Sequence, residues 1–113
     1  EYTDGFSDYE GPLLMLQGGL DPATPVEFAQ AVGDHYTAEL QTWALFPHGA
    51  HGLIQGSILP DGSHCGERLY LQFLGDPDSP LDTSCIEDTL PVQFDGYPEY
   101  NLYFLGTVDA WGD

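Results

Sequence analysis

Four consecutive apolar residues, Leu13, Leu14, Met15 and Leu16, stand between Pro12 and the run Gln17, Gly18, Gly19. A run this short and unbroken, closed by a glycine pair, predicts a strand buried on both faces, as parallel strands are. A stub of buried helix is the other reading, and the flanking proline and glycines weigh against it. Thr24, Pro25, Val26 and Glu27 then read as a helix start. Thr24 acts as the cap, Pro25 sits where a missing N–H costs nothing, and Glu27 returns a bond to the cap residue. Phe28, Val32 and Tyr36 follow at helical spacing and give that helix a face to bury, and Gly33 is expected to weaken its last turn. Residues 41–46 are rich in strand formers and end at Pro47, which predicts a second strand. A strand, a helix and a strand joined by short turns make a right-handed βαβ crossover, hence an α/β fold with parallel strands.

Beyond that unit, residues 47–52 form a loop in which Gly49 and Gly52 keep the backbone free around His51. Residues 65–74 predict a second helix, with Leu69 and Phe73, and Tyr70 and Leu74, each four apart. Gly75 ends it and Pro77 follows. Residues 76–83 are proline, aspartate and serine, a loop leading to Cys85. The last stretch is aromatic and acidic, with Phe94, Tyr97, Tyr100, Tyr103, Phe104 and Trp111, and residues 102–105 read as a further strand. The chain thus divides into an extended lead-in (1–10), an α/β segment (11–90) and an aromatic acidic extension (91–113). The density of rings in the extension exceeds what a solvated tail needs and favours a packing or interface role.

Composition changes the picture in one direction. Among 113 residues, 19 are Asp or Glu and Arg68 is the single Lys or Arg, for a net charge of -18, yet 42% are hydrophobic. That is too apolar for a disordered acidic tail and short enough for one domain. The missing cations exclude nucleic acid as a partner, and the same repulsion disfavours an anionic membrane. No apolar run reaches the roughly 18 residues of a membrane-spanning helix. Glu1 is neither an initiator methionine nor part of a signal peptide, so a processed or cut end is expected. Cys65 and Cys85 are enough for one bridge.

Two side chains carry the candidate chemistry. Asp21 and His51 each follow directly on a predicted parallel strand, and in open α/β sheets ligands bind beyond the carboxyl ends of the strands. Both therefore project onto the same edge, where a carboxylate can hold an imidazole in one tautomer and stabilise its protonated form. The plainer readings are a turn residue before Pro22 and an exposed loop histidine. No serine stands in a Gly-x-Ser-x-Gly turn; residues 62–66 have the two glycines but His64 at the centre. His35 and His64 lack partners at metal-ligand spacing, and no calcium loop is present, so neither a metal nor a cofactor is expected.

Pro12 to Pro25 (PLLMLQGGLDPATP), Pro47 to Gly52 (PHGAHG), the Cys65 to Pro77 stretch (CGERLYLQFLGDP) and LDTSC ending at Cys85 follow one another along the chain. Together they resemble the C-terminal segment of tripeptidyl-aminopeptidase-like α/β-hydrolases, relatives of the proline iminopeptidases. The resemblance covers about residues 11–85. It implies that Asp21 is the acid and His51 the base of a Ser-Asp-His triad, with His48 a loop residue. It further implies that Cys65 and Cys85 form a disulfide, and with it a secreted or periplasmic location. The serine, the oxyanion donors and the remaining sheet would then belong to an N-terminal hydrolase polypeptide. The substrate would be a peptide near its amino terminus, or a small ester or amide, and this chain alone would be inactive. The competing expectation is a non-catalytic structural or assembly subunit that keeps the fold. The extension after Cys85 has no counterpart in the resemblance.

Overall fold

A computed structural model of the chain describes residues 5–92 and 96–109. Its centre is the βαβ unit: β1 (Leu13–Gly18), α1 (Val26–His35) and β2 (Gln41–Phe46). The strands are parallel, in register from Leu13 opposite Gln41 to Gly18 opposite Phe46. β1 runs two residues past the apolar run, because Gln17 and Gly18 continue the ladder. Then come α2 (Leu53–Gly56), α3 (Cys65–Gly75), a single 3-10 turn (Ser84–Ile86) and α4 (Pro98–Phe104).

Strand alternation sorts the helices onto two faces. Ala44 and Phe46 of β2 are buried with Leu53, Leu59, Cys65, Leu69 and Cys85, and Leu14, Leu16 and Ile86 pack against them. This core lies under α2 and α3. Trp43 points the other way, toward α1. There a Cβ on Gly33 would stand 2.6 Å from the Trp43 ring, so Gly33 permits a close helix–strand approach where the sequence suggested a weakened turn.

The helix start also differs from expectation. Pro25 occupies the cap position in an extended conformation, and no side chain caps α1. The Thr24 hydroxyl instead donates to the Asp21 carboxylate, a charged acceptor that turns the side chain toward the loop. Phe28 lies on the outer side of α1, 81% exposed, rather than on a buried face. In α3, Leu69 is fully buried whereas Tyr70 and Leu74 are exposed.

Residues 102–105 are not a strand; most of them belong to α4. Pro98 begins this helix where a missing N–H is harmless. Its backbone bonds close locally, for example Leu105 N–H to Asn101 O at 2.7 Å. A β-rich run with no strand beside it satisfies its polar groups this way. Tyr97, Tyr100, Tyr103 and Phe104 are exposed, so these rings do not pack into this chain's core. Phe94 and Trp111 fall outside the described residues.

Residues 5–10 carry no regular structure but are tied down. The Gln41 side-chain amide donates to the Tyr9 carbonyl at 2.6 Å. His35 Nε2 and the Ser7 carbonyl are 3.0 Å apart, and the Phe6 ring lies 4.9 Å from that of His35. On the other side of the molecule a disulfide joins Cys65 to Cys85 and anchors the 3-10 turn to the start of α3. Ser57 completes that junction: its buried hydroxyl donates to Leu53 O at 2.7 Å and accepts from Gly66 N–H at 2.6 Å.

Candidate active site

Parallel pairing ends at Gly18 and Phe46, so the loops leaving β1 and β2 emerge side by side. Backbone hydrogen bonds lock them together: Gly19 N–H to Phe46 O at 2.8 Å and Leu20 N–H to Gly49 O at 2.9 Å. The contact is close enough to require glycine. A Cβ on Gly19 would stand 2.7 Å from the Pro47 carbonyl oxygen.

Asp21 follows on the first loop, and its carboxylate is surrounded by donors. Oδ1 accepts the amides of Ala23 at 2.8 Å and Thr24 at 3.1 Å. Oδ2 accepts the Thr24 hydroxyl at 2.7 Å and lies 2.8 Å from His51 Nδ1. These bonds, Thr24's hydroxyl foremost, hold the carboxyl far below its ordinary range and outweigh burial, which pushes the other way. An ionised carboxylate can only accept. Nδ1 of His51 therefore carries the proton in the neutral ring, and Nε2 keeps a free lone pair.

The pair is asymmetric toward solvent. The Asp21 side chain is 7% exposed and that of His51 68% exposed, so the acid is sheltered and the base reachable. The residue after His51, Gly52, has φ +81°, a left-handed conformation that lets the chain turn at once into α2. An open cavity of about 510 Å³ lies against the imidazole. Leu16, Leu53 and Ile54 make its apolar wall, with Asp21, Thr24, His51 and Gln55 as polar lining. A sheltered acid, a ring held in one tautomer and an open cavity against that ring form an arrangement able to take a proton from a nucleophile and return it to a leaving group.

The structure brings together the two residues that sequence reasoning singled out. It separates His48, which lies exposed beside Gly56 and Leu90 in a different groove, and His35, which packs with Phe6 and Tyr36. His64 sits half-buried at the start of α3. Among the described residues no serine hydroxyl bonds the His51 ring, and no three His, Cys, Asp or Glu side chains converge as a metal site. Sequence reasoning overlooked Gln17 and assigned Thr24 to the helix. A polar side chain closing a buried apolar strand was the available signal for Gln17. For Thr24 it was the three-residue spacing from Asp21, which lets one side chain reach the other across a turn.

No curated protein and no solved structure matches the chain. The family model described as TAP-like protein matches residues 3–85, nearly three quarters of the sequence and the whole stretch from the lead-in through β1, both exit loops and α3 to the second cysteine. The chain belongs to this family, as a tripeptidyl-aminopeptidase-like α/β-hydrolase segment.

Proposed function

We propose that this chain supplies the acid and the base of a serine hydrolase, with Asp21 orienting His51 and His51 activating a serine carried by another polypeptide segment. The supporting observation is the 2.8 Å contact between His51 Nδ1 and Asp21 Oδ2, with the His51 ring lining an open cavity. In this reading His51 takes the serine proton as the hydroxyl attacks a carbonyl. It then returns the proton to the leaving amine, while Asp21 stabilises the imidazolium formed between the two steps. The substrate is a peptide cleaved near its amino terminus.

The remaining sheet, the nucleophile and the oxyanion donors come from an N-terminal hydrolase polypeptide. Two features support this. The sequence holds no serine in a nucleophile turn. Among the described residues β1 and β2 pair only with each other, and a two-stranded parallel sheet is too small to stand alone. The disulfide fits an oxidising compartment, and no helix of the described residues is long and apolar enough to cross a membrane, so the proposed location is secreted or periplasmic.

The test is purification of the native assembly followed by reaction with a fluorophosphonate probe. The hydrolase reading expects a second polypeptide segment that labels on serine, and loss of turnover in His51→Ala. An assembly that holds the fold and never labels would instead assign the chain as a structural subunit.

A further inference from the structure

Hydrogen bonding fills the Asp21 carboxylate. Its two oxygens offer about four acceptor positions, and four donors occupy them: the amides of Ala23 and Thr24, the Thr24 hydroxyl, and His51 Nδ1. The terminal torsion of an aspartate is broad and soft. The two amides fix Oδ1, but a ring reaching in from a neighbouring loop needs Oδ2 held as well. Thr24 supplies that second hold, since its hydroxyl reaches Oδ2 at 2.7 Å.

Thr24 is itself held in place. Gln17, 6% exposed at the end of β1, donates through its one amide nitrogen to Gly18 O at 2.8 Å and to Thr24 O at 2.9 Å. Burying an amide is costly unless its bonds are made. Here the two donated bonds together tie the carbonyls of residues 18 and 24 across the mouth of the turn. The series Gln17, Thr24, Asp21, His51 thus runs from a buried strand to the exposed ring by hydrogen bonds alone.

We propose that Thr24 is a positioning residue for the Asp21–His51 pair, its hydroxyl aiming Oδ2 at Nδ1, and that Gln17 is the strut that keeps Thr24 there. The role requires a hydroxyl and not merely bulk. Valine at position 24 has the same shape but no donor. Oδ2 then loses one of its two donors, the carboxylate turns, and nothing holds the ring proton on Nδ1. Nε2 becomes protonated in part of the population and there cannot act as a base. Serine restores the donor with one methyl fewer.

The proposal rests on the hydrolase reading only for turnover, because the ring's tautomer is readable without it. The measurement is the imidazole nitrogen and proton spectrum of His51 in the full chain, in the assembly in which it purifies. Wild type and Thr24→Ser are expected to show the Nδ1–H tautomer with a downfield, slowly exchanging Nδ1 proton. Thr24→Val is expected to lose both signatures while keeping a folded backbone spectrum, and Gln17→Met to weaken them. Should the valine variant not fold, Thr24→Ala against Thr24→Ser makes the same comparison. In an active assembly kcat falls about tenfold to a hundredfold in Thr24→Val, with KM nearly unmoved, and Thr24→Ser recovers most of it. A donor-free variant that keeps the wild-type ring spectrum overturns the proposal and leaves the acid–base pair standing, as does a serine variant that fails to restore it. An assembly that never labels with a fluorophosphonate sinks the hydrolase reading alone, and the spectra still decide on Thr24.

Discussion

Gly18 at the end of β1 lies directly beneath the turn that carries His51: a Cβ placed on it would stand 2.5 Å from the Ala50 carbonyl oxygen. The obstacle is backbone on both sides, which cannot swing away as a side chain would. Gly18→Ala is therefore expected to push the two exit loops apart. The cost should be of the order reported for overpacked cores, about 1–3 kcal/mol, measurable by urea denaturation. The His51–Asp21 bond should lengthen with it, seen as loss of the downfield ring proton. A variant as stable as wild type would show that the loops are not in the contact described.

Asp21→Asn tests the acid without emptying its place. An asparagine oxygen can still accept the amides of Ala23 and Thr24, so the turn should persist. Its NH₂ group, placed where Oδ2 stood, presents a donor to His51 Nδ1 and forces the proton to the other ring nitrogen. On the hydrolase reading, turnover by the native assembly should fall by about 10⁴-fold, a loss far larger than the accompanying drop in thermal stability can account for while the variant stays folded. A loss of tenfold or less would remove Asp21 from the acid's role.

Acid pH should destabilise the chain through the same carboxylate. The folded pKa of Asp21 lies below its ordinary value of 3.8, so its contribution to stability is complete above that value and is lost as pH falls through the depressed folded pKa. Asp61 and Asp82 shift in the same direction, held by hydrogen bonds from Ser63 and Ser84. Relief of repulsion among 19 acids acts oppositely, so the informative quantity is a difference between variants. His51→Ala and the double variant His51→Ala/Asp21→Asn, in which the ring no longer titrates, should differ by a constant amount above about pH 5 and draw steadily together as pH falls below about 4. Parallel curves down to pH 2 would contradict the depressed value.

Removing the disulfide should loosen the far side of the core. Cys65 and Cys85 are 20 residues apart in sequence, and closing a loop of that size stabilises by about 3 kcal/mol in the chain-entropy model. Replacing both by serine, or reducing the native protein, is expected to lower the denaturation midpoint by a corresponding amount. Oxidised and reduced samples with superimposable unfolding curves would refute this.

The sequence made the βαβ unit legible because its punctuation is unambiguous. Pro12 and the Gly18–Gly19 pair bound β1, Pro47 ends β2, and the register of the two strands then delivers Asp21 and His51 to one edge. The disulfide and the roles of the pair came through the resemblance, since spacing alone left them open. α2 was not foreseen, because Leu53–Gly56 is one turn with no period to detect. α4 was mistaken for a strand over residues 102–105, since Leu102, Tyr103, Phe104 and Leu105 are all good strand formers and strand formation depends on neighbours that a local window does not contain. Thr24 carried two local signals, a helix cap and a partner for Asp21, and only the three-dimensional arrangement shows that its hydroxyl is turned to the carboxylate, with Pro25 in the cap position.

The side-by-side exit loops give the molecule a property that reaches beyond its own chemistry. Acid and base are 30 residues apart, and every bond described between them runs within one crossover. The geometry of the pair is therefore set by contacts local to residues 13–52, and changes elsewhere in the chain reach it only through the stability of that crossover.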